Sequence, residues 1–105
     1  MPNRGDIYWA YLDPTVGTEQ KGRRPVVVVS PDEINANLKR VIVLPITKQR
    51  RDYPTFIEVK LGGEICYAML DQIRTLDTNR LKGKIGSTST AEFREIMRML
   101  QTLFS

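Results

Sequence analysis

The strongest constraint on the fold is a change of pattern near residue 89. Before it, the chain is a series of short segments rich in β-branched and aromatic residues, separated by turn residues. After it, apolar residues recur at helical spacing between Phe93 and Phe104. Many short strands followed by one terminal helix indicate a mainly β chain with α (α+β). The predicted architecture is a small, curled, mostly antiparallel barrel with helices on its outside.

The length and composition are those of one folded domain. A chain of 105 residues is typical of a single domain, so we expect one domain over residues 1–105. The longest apolar run, at residues 26–29, is far shorter than the ~20 residues of a membrane-spanning helix. Residues 1–6 have no apolar export signal. We therefore expect a cytoplasmic protein with no membrane partner.

The strands are predicted from β-branched and aromatic runs between turns. The run Val26–Val29 is typical of a strand buried on both faces, and Gly62-Gly63 predicts a hairpin turn. Pro45 interrupts its strand, which predicts a bulge or an edge there. We predict strands over residues 7–12, 25–30, 41–46, 55–59, 65–70 and 73–76, with a last short strand around Ile85.

Three helix-start signals are present. Ser30, followed by proline and then by Glu33, predicts a capped short helix over 31–37. Asp77 predicts a cap for a helical turn over 78–81, and Ser89 with Glu92 predicts a capping box for the terminal helix. The predicted packing face of that helix consists of Phe93, Ile96, Met97, Leu100, Leu103 and Phe104.

The absence of histidine excludes much of the common acid–base chemistry. With no His and one Cys, the chain has no Ser-His-Asp triad, no Cys-His pair, no His-rich or Cys-rich metal site and no internal disulfide. Cys66 has apolar neighbours and no activating partner, so we expect a buried, inert thiol.

The positions of the basic residues are more informative than their number, because the formal net charge is only +4. They end the polar loop 13–23 and recur in the loop 47–53; the two groups are Lys21, Arg23 and Arg24, and Lys48, Arg50 and Arg51. If the flanking strands are neighbours, the groups could form one positive surface, and the alternative is a solvated charged rim. Arg24 adjoins a buried strand, which would hold its guanidinium in a position suited to bind a phosphate.

The strand aromatics also leave two interpretations open. Tyr8, Trp9 and Tyr11 could stack on RNA bases, but aromatic residues in strands are more often packing residues.

Five blocks of the sequence resemble one family in the right order. Residues 4–9, 12–20 and 24–26 are similar to the opening of the MazF/PemK/Kid toxins, and residues 44–47 and 70–77 are similar to its later blocks. The arrangement Asp-Pro-Thr-x-Gly-x-Glu-Gln-x-Gly-x-Arg-Pro at residues 13–25 is the most specific of these similarities. The resemblance covers nearly the whole chain.

This resemblance implies a homodimeric toxin of a type II toxin–antitoxin pair, with an SH3-like barrel shared with the CcdB gyrase poisons. It further implies a sequence-specific endoribonuclease that cuts single-stranded RNA, chiefly mRNA, without the ribosome, a metal or another cofactor. A cognate antitoxin with an acidic, disordered tail is the expected protein partner.

The resemblance also implies roles for individual residues. The family's catalytic arginine and threonine fall on Arg24 and Thr47, its loop glutamate on Glu19, and its Asp-Gln pair on Asp71 and Gln72. Glu19 is the first choice for the general base and Asp71 the second, although Glu19 could equally be a solvated or structural residue. Asp71 and Arg74 are expected to form a structural ion pair. The predicted RNA contacts are Gln20, Lys21, Arg23, Lys48, Gln49, Arg50, Arg51, Asp71 and Gln72.

The chain departs from the Kid-like branch at two positions. Thr18 and Met69 stand where that branch has a histidine and an arginine, so its acid–base mechanism cannot be transferred. The Arg24 and Thr47 pair of the MazF-like branch is intact. Two alternatives remain: a non-catalytic, CcdB-like toxin that binds gyrase, and a relative that binds RNA without cleaving it.

Overall fold

A computed structural model describes residues 2–105, which form one sheet system with a helix at its end. Short 3-10 turns occupy Leu70–Gln72 and Thr78–Arg80. The strands and helices of these residues are β1 (Asp6–Tyr11), β2 (Arg23–Val28), α1 (Asp32–Asn37), β3 (Arg40–Thr47), β4 (Phe56–Leu61), β5 (Glu64–Met69), β6 (Arg74–Asp77), β7 (Leu81–Ser87) and α2 (Thr90–Leu103).

The sheet is antiparallel and curled, which confirms the predicted fold class. Its strand order is β4-β5-β3-β2-β1-β7, and β6 pairs with β3 off this path. The central strand β3 pairs with β6 over residues 40–43 and with β5 over residues 46–47. This exchange of partners curls the sheet into a half-barrel, and it places the ends of β2 and β3 next to each other.

Pro45 lies where β3 changes partners. It is opposite Val26 of β2, while on the other side of the strand the β6 ladder ends at Val43 and the β5 ladder begins at Ile46. Proline has no N–H to donate, so a break in one ladder is the place where a sheet tolerates it. The bulge or edge predicted at Pro45 is therefore wrong: β3 is an inner strand with a regular register to β2, and Pro45 lies where the other side of β3 changes partner.

The core has two parts, one on each face of the sheet. Val27 and Val29 belong to the larger cluster, which also contains Ile96 and Leu100 of α2. Val26 and Val28 belong to the second cluster, against which Tyr8 packs. The β2 run is buried on both faces, as predicted.

The capping box predicted at Ser30 is wrong. The cap position of α1 is Pro31, with no side-chain cap, because the buried Ser30 hydroxyl has other partners. It donates a hydrogen bond to the side-chain oxygen of Asn35 and accepts one from the amide of Ile42 (3.0 Å). Ser30 therefore joins α1 to β3 instead of capping the helix.

The caps predicted at Asp77 and Ser89 are confirmed. Asp77 accepts a hydrogen bond from the amide of Asn79 (2.8 Å), and Ser89 and Glu92 form the reciprocal capping box of α2. The packing face predicted for α2 is wrong at its end, since Leu103 and Phe104 are exposed. The core contact of the helix ends at Leu100, so its last turn lies beyond the sheet. Across residues 2–105, neither helix is long and apolar enough to span a membrane.

Candidate active site

A cavity of ≈ 850 Å³ opens where β1, β2, β3 and β7 meet the β4–β5 hairpin. Trp9, Arg24, Thr47 and Ile85 each line it from a different strand, and Glu64 lines it from the start of β5. Its walls therefore combine an aromatic ring, cations, a hydroxyl, a carboxylate and apolar side chains.

Arg24 and Thr47 are brought together by the β2–β3 register. The β2–β3 ladder ends where Val26 is opposite Pro45, and Arg24 and Thr47 each lie two residues beyond that pair, at the same end of the ladder. Both side chains line the cavity, so a guanidinium and a hydroxyl from distant parts of the sequence meet at one place.

The hydrogen bonds of these two residues leave their donors available. Arg24 Nε donates to the carbonyl of Lys21 (3.2 Å), and within residues 2–105 its terminal nitrogens donate to no protein group. The hydroxyl of the buried Thr47 accepts from the amide of Gln49 (3.1 Å). A hydroxyl that accepts one hydrogen bond can still donate another. The pair can thus donate hydrogen bonds to one phosphate.

Glu64 is a cavity residue that the sequence did not reveal. Its carboxylate lies 3.1 Å from the ammonium of Lys48. Among residues 2–105, no other carboxylate lines this cavity. The hairpin turn at Gly62-Gly63 places Glu64 near the β3 end, because β5 pairs with β3. The predicted hairpin turn was the one sequence feature that pointed to the position of Glu64. The pairing of β5 with β3, which brings it to the cavity, could not be predicted from the sequence.

Trp9 contributes a ring to the same cavity. The Arg23 guanidinium lies 4.5 Å from the centre of the Trp9 ring, in a cation–π contact. The other two strand aromatics are placed differently, since Tyr8 packs on the core and the half-exposed Tyr11 lies near Lys82.

The second group of predicted site residues lines a separate cavity of ≈ 460 Å³. Glu19, Gln20, Asp71 and Gln72 lie there, together with Pro45. The amide of Gln20 donates to the side-chain oxygen of Gln72 (3.3 Å), which joins the β1–β2 loop to the turn after β5. The Glu19 carboxylate accepts from the amide of Val16 within its own loop (2.7 Å). The structure therefore does not bring Glu19 or Asp71 to Arg24 and Thr47.

The ion pair predicted between Asp71 and Arg74 is wrong. Asp71 accepts a hydrogen bond from the hydroxyl of Thr55 (3.2 Å), and Arg74 Nη1 donates to the carbonyl of Leu12 (3.0 Å). Asp71 lies in a 3-10 turn and Arg74 in β6, so their side chains reach different neighbours.

The basic groups at the ends of β2 and β3 meet in part. Arg23, Arg24 and Lys48 line the larger cavity together with Gln49. The other predicted RNA-contacting cations, Lys21, Arg50 and Arg51, are exposed residues of the flanking loops.

A family model described as the PemK-like, MazF-like toxin of type II toxin–antitoxin systems matches residues 3–104. The chain belongs to this family. It is 39% identical over 102 residues to an endoribonuclease MazF of Staphylococcus saprophyticus, and the match covers 91% of this chain and 85% of that protein.

Solved MazF structures share the fold of this MazF-like toxin. A crystal structure of MazF from Deinococcus radiodurans superposes with a TM-score of 0.87 at 27% identity, covering 98% of this chain and 96% of that one. An endoribonuclease from Mycobacterial species, solved in complex with its cognate antitoxin, gives a TM-score of 0.85 at 26% identity, with 99% and 95% coverage. These relatives favour a MazF-like toxin over the gyrase-binding alternative.

In this MazF-like toxin, Cys66 is a buried residue on the wall of the larger cavity, as expected for an inert thiol. Burial raises the pKa of the Cys66 thiol, and the nearby Glu64 carboxylate raises it further. The thiol therefore stays protonated near neutral pH. Over residues 2–105, no three Cys, Asp or Glu side chains are grouped closely enough to hold a metal ion.

Proposed function

We propose that this toxin is a sequence-specific endoribonuclease that cleaves single-stranded RNA, chiefly mRNA, without a metal ion or the ribosome. The meeting of Arg24 and Thr47 in one cavity is the observation that supports it most strongly. The 39% identity to an endoribonuclease MazF supports the same activity. The chain has no histidine, so proton transfer falls to another group, and the nucleophile of the proposed reaction comes from the substrate.

RNA supplies its own nucleophile. The ribose 2′-oxygen loses its proton to a base and attacks the adjacent phosphorus. The bond from phosphorus to the 5′-oxygen breaks and the 5′-oxygen takes a proton from water, which leaves a 2′,3′-cyclic phosphate and a 5′-hydroxyl end. Hydrolysis of the ring then gives a 3′-phosphate. The negative charge that develops on the phosphate oxygens is stabilised by the Arg24 guanidinium, while Thr47 donates a hydrogen bond and orients the group. DNA has no 2′-hydroxyl, so it binds without being cut.

The proton of the 2′-hydroxyl requires a base, and an arginine is too strongly protonated to serve. Glu19 is the proposed base, and it reaches the site when its loop closes over bound RNA. The cavity that Glu19 lines is adjacent to the cavity of Arg24. Pro45 lines the first and Thr47 the second, and these residues are two positions apart on β3. That separation is about 7 Å along a strand.

The test is cleavage of a long single-stranded RNA by the purified protein in the presence of EDTA, with the cuts mapped by primer extension. We expect cuts at one recurring short sequence, with 5′-hydroxyl and 2′,3′-cyclic or 3′-phosphate ends. Ends with 5′-phosphates, or loss of activity in EDTA, would contradict the mechanism. Inhibition of gyrase supercoiling without RNA cuts would support the CcdB-like alternative, and RNA binding without cuts would indicate a non-catalytic relative.

The proposed partners follow from family membership and charge. We expect a cytoplasmic homodimer that is inhibited by an antitoxin whose acidic, disordered tail folds onto the basic face around the larger cavity. The mycobacterial relative was solved with its cognate antitoxin, which supports this expectation. Light scattering should give twice the mass of one chain, and a monomer at working concentrations would contradict the dimer.

A further inference from the structure

We propose that Trp9 is a nucleobase-stacking surface of the larger cavity, where it binds one unpaired RNA base next to the phosphate held by Arg24. The proposal rests on the proposed function and adds a base-binding subsite to it. The substrate group is an unpaired nucleobase, which has an aromatic face whatever its identity.

Trp9 lines the same cavity as Arg24 and Thr47, although the alternation of side chains along β2 directs Pro25 and its partner Trp9 to the other face of the sheet from Arg24. Trp9 is opposite Pro25, the residue that follows Arg24. The pairing of β1 with β7 shifts register between Tyr8 and Ala10, so the ladder is irregular at Trp9. Such irregularities re-aim side chains, and here the Trp9 ring lines the cavity instead of joining either core cluster.

The surroundings of the ring suit a base attached to a phosphate. Arg23 lies 4.5 Å from the ring centre and can also stack on a base, while Leu61 and Ile85 supply apolar walls. Three cations and one carboxylate line the cavity, a balance that favours a polyanion over a neutral ligand. Its volume of ≈ 850 Å³ lies within the range of sites that enclose small ligands.

The experiment uses the fact that the chain has a single tryptophan. The full-length protein is titrated with a random-sequence, single-stranded 2′-deoxy oligonucleotide, which binds without being cut, while the emission of Trp9 is recorded. The matched probe is an abasic strand of the same length and charge. We expect the base-containing strand to quench Trp9, and the abasic strand to bind more weakly without quenching it.

Variants test whether the ring contributes to affinity. Because stacking of a base on an aromatic ring contributes to the binding of single strands, we expect Trp9→Leu to weaken binding of the base-containing strand about tenfold. Trp9→Phe retains a ring and should lose less than about threefold. Neither variant should change binding of the abasic strand. Phe104→Leu, at an exposed aromatic residue of the last turn after α2, is the control and should bind like the wild type.

Three results would overturn the subsite. Equal quenching by both strands would mean that Trp9 senses phosphates only. A change of Trp9 emission on dilution, with none on adding nucleic acid, would mean that the ring is covered by a second copy of the chain. Equal binding of the base-containing strand by the wild type and Trp9→Leu would exclude a stacking contribution. RNA cleavage by the wild type is scored separately, so the subsite can fail while the nuclease assignment stands.

Discussion

In the proposed mechanism, Arg24 stabilises the charge that develops on the scissile phosphate and Thr47 orients that phosphate; both residues line the larger cavity. We expect Arg24→Ala to lower kcat/KM for RNA cleavage by about 10²–10³, the usual cost of removing one preorganised donor to a developing oxyanion. Thr47→Ala should also lose cleavage, while Thr47→Ser retains the hydroxyl and should recover most of it. Cleavage of a fluorogenic single-stranded RNA measures all three variants.

Arg40→Ala is the matched control, because Arg40 is an exposed arginine at the start of β3 outside both cavities. It should cleave at the wild-type rate. Circular dichroism and thermal unfolding show whether each variant is folded. Wild-type rates for a folded Arg24→Ala variant would remove the catalytic assignment of that residue.

Substitution of Glu64, in the same cavity, is expected to strengthen RNA binding, whereas the substitutions of Arg24 and Thr47 are expected to reduce cleavage. The Glu64 carboxylate is paired with Lys48, so Glu64→Gln leaves the ammonium available to an RNA phosphate and makes the cavity more positive. We expect KM for RNA to fall about two- to fivefold at low salt and the difference to shrink as salt is added. Glu58→Gln, at an exposed position of β4, should leave KM unchanged. A higher KM for Glu64→Gln would show that the carboxylate contributes to RNA binding.

At the scale of single residues, the sequence could predict positions that are fixed by a local motif. The resemblance to MazF-like toxins indicates Arg24, which precedes Pro25 and the valine run in β2, and Thr47, which ends the Pro45 block at the end of β3. Glu64 could not be found, since its proximity to Lys48 depends on how two hairpins pair. The separation of Glu19 from Arg24 likewise depends on the path of a long loop.

Among the elements, α2 depends most clearly on a local signal. Ser89 Oγ accepts a hydrogen bond from the amide of Glu92 (3.1 Å), and the Glu92 carboxylate accepts one from the amide of Ser89 (2.8 Å). We expect Ser89→Ala to lower the free energy of unfolding by about 1 kcal/mol, as is usual for the loss of a cap. Urea denaturation measures this change. Thr90→Ala is the control and should change stability by a few tenths of a kcal/mol at most; an equal loss for both variants would contradict the cap.

The contrast between Ser89 and Ser30 explains which elements the sequence predicted well. Both serines precede a helix and carry a glutamate three residues later. Ser89 is exposed, and among residues 2–105 no other group competes for its hydroxyl, so the local capping rule decides. Ser30 is buried next to β3, where the amide of Ile42 and the side chain of Asn35 take up its hydroxyl. Tertiary hydrogen bonds therefore override a capping signal where the serine lies in the core.

At the scale of the whole molecule, the curl of the sheet concentrates positive charge at one place, although the net charge of the chain is small. The chain carries only +4, but Arg23, Arg24 and Lys48 converge on one cavity and the loop cations flank it. From the sequence, this convergence could be predicted only if β2 and β3 were neighbouring strands. The structure shows that they are. A single strand of RNA laid across this face would have several of its phosphates neutralised at once.

Salt dependence measures that neutralisation. Each cation that displaces a counterion from a single strand adds about 0.7 to the slope of log Kd against log salt concentration. We expect Arg50→Ala and Arg51→Ala each to lower the slope for an uncut 2′-deoxy strand by about 0.7, with a small change of Kd at high salt. Lys39→Ala removes an exposed cation before β3, outside both cavities, and should leave the slope unchanged. If Lys39→Ala lowered the slope as much as Arg50→Ala, binding would follow net charge, and RNA would have no defined path across this face.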